Sequence, residues 1–94
     1  MTREQFLASL SEASPPKVSA PLQGLWWDAK GDWNQAHALV QNVDGADAAW
    51  VHAYLHRKEG DLSNARYWYR KAGKPVPNTT LGEEWDALLA ALLG

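Results

Sequence analysis

Residues 58–77, KEGDLSNARYWYRKAGKPVP, decide the fold. Gly60 and Asp61 read as a turn followed by a helix cap, and Ala65, Trp68, Tyr69 and Ala72 then recur three or four residues apart, the spacing of one buried helical face. Lys74, Pro75, Val76 and Pro77 break the pattern. A weaker copy lies upstream: Gly31, Asp32, Trp33 and Ala36 align with Gly60, Asp61, Leu62 and Ala65 at an offset of 29 residues. Self-similarity at one fixed offset is the mark of stacked helical hairpins.

The rest of the chain can be read outward from that pair of turns. Residues 3–12 carry Phe6, Leu7 and Leu10 at helical spacing, and Ser14, Pro15 and Pro16 then force an extended break. Pro21 suits the opening turn of a helix over about 21–30 that presents Leu22, Leu25, Trp26 and Ala29, and Gly31 ends it. Asp32 caps a helix whose buried stripe is Trp33, Ala36, Leu39, Val40 and Val43, and Asp44 and Gly45 stop that one. Residues 46–59 bury Ala49, Trp50 and Ala53, and the helix after Asp61 buries Leu62, Ala65, Trp68, Tyr69 and Ala72. Thr80 with Glu83 is a capping-box signature for a last helix ending near Leu93, with Leu81, Trp85, Leu88, Leu89 and Leu92 as its stripe. No stretch alternates long enough to be a strand. The expected class is therefore all-α with five or six helices in one domain: an N-terminal helix and Pro-rich linker (1–20), hairpin one (21–43), hairpin two (46–73) and a C-terminal capping helix (80–93).

Ninety-four residues, 46% of them hydrophobic, leave room for one small core. Six tryptophans compensate for the small volume, because each packed indole buries roughly 150–250 Å2. The absence of cysteine removes disulfides, thiolate metal sites and Cys nucleophiles. Neither a signal-peptide pattern nor a membrane-length apolar run is present, so a cytoplasmic protein with no membrane partner is expected. The net charge of −2 argues against general nucleic-acid affinity, although six of the nine Lys and Arg residues lie between Arg57 and Lys74.

Gly60, Asp61, Ala65, Trp68, Tyr69, Lys71, Ala72 and Pro77 together resemble the second half of a tetratricopeptide repeat, and the resemblance extends over about residues 20–77. The copy with Gly24, Trp27, Gly31, Asp32 and Ala36 is a looser match. The 29-residue offset is shorter than the family's usual period of about 34, the first copy lacks a closing proline, and Ala53 stands where the family often has glycine. Two units are fewer than a solenoid normally needs, so the terminal helices must cap them or the chain must self-associate. The segment with His56, Arg57, Glu59, Gly60, Asp61, Asn64, Ala65, Tyr67, Trp68 and Tyr69 is also similar to small uncharacterised bacterial proteins, a likeness that carries no activity.

The repeat resemblance implies that the first helix of each hairpin lines a concave face, which puts Asp28, Trp50, Tyr54, Arg57 and Lys58 there as the candidate peptide- or ligand-binding residues. An aromatic shelf with two cations on one helical face suits a peptide carboxylate or acidic segment. The bland alternative is that Trp50 is core and Arg57 pairs with Glu59 or Asp61. His52 and His56, four residues apart, could share a metal with His37, but hydrogen-bonded structural histidines are the default, so no metal or cofactor is assigned. His37, His56, Glu59, Asp61 and Asn64 form a polar cluster of undecided role, in which Asp61 has a ready task as a cap. Arg66, Arg70, Lys71 and Lys74 fit a solvated basic face better than a nucleic-acid site.

No arrangement of catalytic groups is legible, and an enzyme is not expected. The first expectation is a non-catalytic protein or peptide interaction module. The alternatives are a small-ligand or metal-binding protein centred on His37, His52, His56 and Arg57, and a structural protein that self-assembles. The self-assembly reading rests on residues 80–93, whose apolar residues occupy more than one helical face and could form a homodimer interface.

Overall fold

The computed structural model describes the whole of Met1–Gly94 and contains six α-helices and no strand: α1 (Arg3–Ser9), α2 (Ala20–Ala29), α3 (Trp33–Val40), α4 (Ala46–Glu59), α5 (Leu62–Ala72) and α6 (Leu81–Leu93). Side chains set where most of them begin. Thr2 with Gln5 and Thr80 with Glu83 form reciprocal capping boxes at α1 and α6. Asp32 and Asp61 cap α3 and α5 by accepting from the backbone N–H of Gln35 and Asn64.

The two turns that suggested a repeat have matching hydrogen bonds. Gly31 N–H bonds Asp28 O and Asp32 N–H bonds Trp27 O, both at 2.9 Å; Gly60 N–H bonds Arg57 O at 3.1 Å and Asp61 N–H bonds His56 O at 2.9 Å. Both pairs close helices through a left-handed residue, with φ of 85° at Gly31 and 89° at Gly60, a conformation that is costly for any residue with a Cβ. The same closure recurs at Gly73, with φ of 71° and bonds from Gly73 N–H to Arg70 O and from Lys74 N–H to Tyr69 O, so it is this chain's general way of ending a helix and does not by itself mark a 29-residue repeat.

α2 packs chiefly on α3, and α4 on α5, while α6 lies against α4 and α2 and touches α1. Phe6, Leu25, Trp26, Val51, Leu55, Leu88 and Leu89 fill the space between α1, α2, α4 and α6. Ala53, Ala65 and Tyr69 form a smaller seam between α4 and α5. Gly24 lets α2 approach its neighbours: a Cβ there would lie 3.1 Å from Val40 Cγ1 and 3.3 Å from Val51 Cγ1. Four indoles also tie helices together, as Trp26 Nε1 donates to Ser9 Oγ, Trp33 Nε1 to Leu55 O, Trp50 Nε1 to Glu84 Oε2 and Trp85 Nε1 to Leu25 O. Each tryptophan thus buries apolar area and fixes a register at once.

Several positions expected on buried faces lie outside. Leu7, Val43 and Leu62 are among the most exposed large apolar residues, and Ala29 is exposed too. α1 stops at Ser9 and buries Phe6 alone. α3 stops at Val40, so Val43 falls in the following turn rather than on the helical stripe. Leu62 opens α5, whose first buried residue is Ala65.

Candidate functional site

The five candidate groove residues do converge, but around carboxylates of the chain itself. Tyr54 Oη donates to Asp28 Oδ2 at 2.9 Å and Lys58 Nζ to Asp28 Oδ1 at 2.8 Å. Beside this group, Glu84 of α6 accepts from Arg57 Nη1 at 2.8 Å, Trp50 Nε1 at 3.2 Å and Tyr69 Oη at 2.6 Å. Arg57 also donates to Thr79 O. Arg57 therefore pairs with Glu84, and neither Glu59 nor Asp61 is its partner. Burial, reinforced by the adjoining carboxylates, pushes the Tyr54 and Tyr69 hydroxyls far above their ordinary range, which keeps both as donors. α6 packs against α4 and α2 beside these residues and supplies the acid that an aromatic shelf with cations suits.

Glu84 is the residue that the sequence reading missed. Its signal was present: it lies four before Leu88 on the buried stripe of α6, while its neighbour Glu83 is committed to the cap. The same helix settles where its leucines go. Leu88 and Leu89 are fully buried and Leu92 and Leu93 partly so, leaving Ala87, Ala90 and Ala91 outside.

α6 does not cover the candidate residues completely. A cleft of about 500 Å3 remains between α1, α2, α4 and α6, with Leu7, Leu10, Leu81 and Trp85 as apolar walls and the Asp28–Tyr54–Lys58 group at its polar end. A smaller opening of about 260 Å3 lies on the other side of α6, bounded by Trp50, Lys74 and Glu84, with Lys74 Nζ 4.5 Å from the Trp50 ring centre. On α5, Lys71 lies over the rings of Tyr67 and Trp68, and Arg66, Arg70, Lys71 and Lys74 have no acidic partner.

The three histidines meet on the opposite side of α4. His37 from α3 places its Nε2 3.0 Å from His52 Nε2, and His56 Nδ1 lies 2.7 Å from Glu59 Oε2. Nitrogens of all three rings lie within 4.8 Å of one another. Two indoles hold the group: Trp33 stacks on His37 at 4.8 Å between ring centres, and Trp68 stacks on His52 at 3.9 Å. His52 and His56 are both buried, and His52 Nδ1 is buried with no hydrogen-bond partner. Desolvation, with His37 and His56 close by, lowers His52 from its ordinary 6.5 to about 4, and desolvation also lowers His37. Both are neutral imidazoles near pH 7.

Of the remaining cluster, His56, Glu59 and Asp61 also bring one donor atom each within 4.8 Å of the others. Asp61 is occupied as the α5 cap. Asn64 bonds it through both side chain and backbone, which holds the Asp61 carboxyl below the usual range. No helix is long and apolar enough to cross a membrane. Compared with models of protein families, with curated proteins and with solved structures, the chain gives no match.

Proposed function

We propose that the protein is a non-catalytic interaction module that takes a short apolar segment of a partner protein, ending in or carrying a carboxylate, in the cleft between α1, α2, α4 and α6. The observation that carries this reading is the combination of apolar walls, Leu7, Leu10, Leu81 and Trp85, with the Lys58 ammonium at one end, the lining carboxylates Asp28 and Asp86 being paired with Lys58 and Arg3. Lys58 uses one donor on Asp28 and its side chain is 39% exposed, so two N–H groups remain for an incoming acid. A volume of about 500 Å3 accommodates two or three residues, within the range of ordinary ligand pockets. Burial of Asp28 and Tyr54 beneath Lys58 holds the ammonium in place before a ligand arrives, which lowers the ordering cost of binding.

The test is an NMR titration with short N-acetylated peptides ending in Leu or Phe, each as free acid and as amide. Saturable shifts at Leu7, Tyr54, Lys58 and Trp85 are expected. The amide and the Lys58→Met variant should each weaken binding about tenfold, the loss of one charge-assisted contact. Absence of saturation, or shifts confined to other surfaces, would reject the cleft as the site.

A further inference from the structure

We infer that His37, His52 and His56 form a three-nitrogen site for a divalent transition-metal ion of the zinc class, distinct from the cleft. The first support is geometric. Two imidazole ligands on a tetrahedral ion at 2.0–2.1 Å are separated by about 3.3 Å, and His37 Nε2 and His52 Nε2 already lie 3.0 Å apart. A few tenths of an ångström of relaxation brings that pair to ligand spacing, and the His56 nitrogen, within 4.8 Å of the others, has to close by up to about 1.5 Å to join them. His52 and His56, at i and i+4, project from one face of α4, and His37 comes from α3, so two separate elements converge on one point.

Hydrogen bonding does not account for the arrangement. One buried histidine can be satisfied by two partners, but here three imidazoles share one ring-to-ring contact and one carboxylate, and His52 Nδ1 has no partner at all. An orphaned buried polar atom such as His52 Nδ1 costs about 1–3 kcal/mol, and packing three imidazoles together where leucines would fit is expensive unless their lone pairs have a use. Tryptophan walls on both sides keep the rings from turning away to solvent.

Glu59 completes the pattern. It engages His56 Nδ1, which fixes the ring and leaves Nε2 as the coordinating nitrogen, the outer-shell carboxylate arrangement that raises the basicity of a metal-bound imidazole. Glu59 is thus a positioning residue. Nitrogen-only donors select zinc, nickel, cobalt or copper over the oxygen-seeking magnesium and calcium. Three protein ligands leave a fourth tetrahedral position for water or an added ligand.

The test uses the full, untagged chain, stripped with chelator and titrated calorimetrically with Zn2+. One ion per chain is expected, with Mg2+ failing to compete. His37→Gln, at the half-exposed end of the trio, should weaken Zn2+ binding by on the order of 100-fold or more, and Glu59→Gln by about tenfold. Because the buried His52→Gln chain risks misfolding, the wild-type protein supplies the independent readout: Zn2+ should move the side-chain 15N resonances of all three histidines, and Co2+ should give the intense visible absorption of a four-coordinate ion. No uptake by the wild type, uptake unchanged in His37→Gln, or ring resonances that stay still would each overturn the assignment.

Discussion

Glu84 of α6 and His52 of α4 are both buried polar side chains, yet their surroundings are opposites. The Glu84 carboxylate has an ion-pair partner and two further donors, from Arg57, Trp50 and Tyr69. His52 has one imidazole contact and a nitrogen with none. A fully satisfied network fixes a fold, because each member needs the others to offset its own desolvation. An incompletely satisfied one marks capacity left over for something else. The difference separates the residues that hold α6 in place from those available to a ligand.

The sharpest way to break the contrast is to remove Arg57. Arg57→Ala leaves Glu84, 3% exposed, as a buried carboxylate with only neutral donors, and a loss of about 3 kcal/mol in urea denaturation is expected. A change below about 0.5 kcal/mol would mean that α6 is only loosely held and that the groove is open in solution.

The histidine side responds to acid. His52 has a folded pKa near 4 against an ordinary 6.5, so between those values the unfolded chain binds the extra proton. In metal-free protein, stability should therefore be full above about pH 6.5 and fall as pH drops toward 4, by on the order of 2 kcal/mol. The groups facing His52 are His37 from α3 and His56 from its own helix, with the uncharged Trp68 from α5, so nothing acidic lies against the ring to offset its protonation. Thermal melts of the metal-free wild type across that window check this, with the His52 ring resonances followed over the same range to assign the loss to that residue. A wild-type profile flat between pH 4 and 6.5 would mean that His52 is open to water.

The fold was largely legible because it rests on local signals. Gly60 with Asp61 and Thr80 with Glu83 declare helix ends in a few residues, and the observed boundaries of α4 and α6 fall where those signals put them. The stripes were read less well at helix ends. Val43 and Leu62 have the right spacing but sit where the helix has stopped or is only opening, which spacing alone does not encode. The candidate residues Asp28, Trp50, Tyr54, Arg57 and Lys58 can be named from one helical face plus a resemblance, but what faces them cannot. Glu84 is 27 residues from Arg57 in sequence, and its partnership exists only once α6 folds back. The convergence of His37 with His52 and His56 likewise depended on how α3 rotates against α4, and periodicity leaves that rotation free.

Smaller effects sharpen the same division. Tyr69→Phe removes one donor from Glu84 without opening a cavity and should cost about 1–2 kcal/mol, whereas the matching removal at the α5 cap, Asp61→Ala, should cost less, through loss of the Asn64 N–H bond. If Asp61 also served the histidine cluster, its removal would alter Zn2+ affinity as well as stability. Calorimetry on that variant separates the two roles.

The smallest effect belongs to the basic face of α5. Arg70 is exposed and has no acidic partner, and only its position in the last turn, where cations favour the helix dipole, gives it a structural role. Arg70→Ala should therefore shift stability by no more than about 0.5 kcal/mol. It should also leave Zn2+ uptake unchanged, because neither Arg70 nor its neighbours Tyr69 and Lys71 supply a donor to the histidine trio. A larger loss in the melt would place Arg70 inside the supporting network of α4 and α5, and the division between satisfied and available groups would then have to be redrawn along α5.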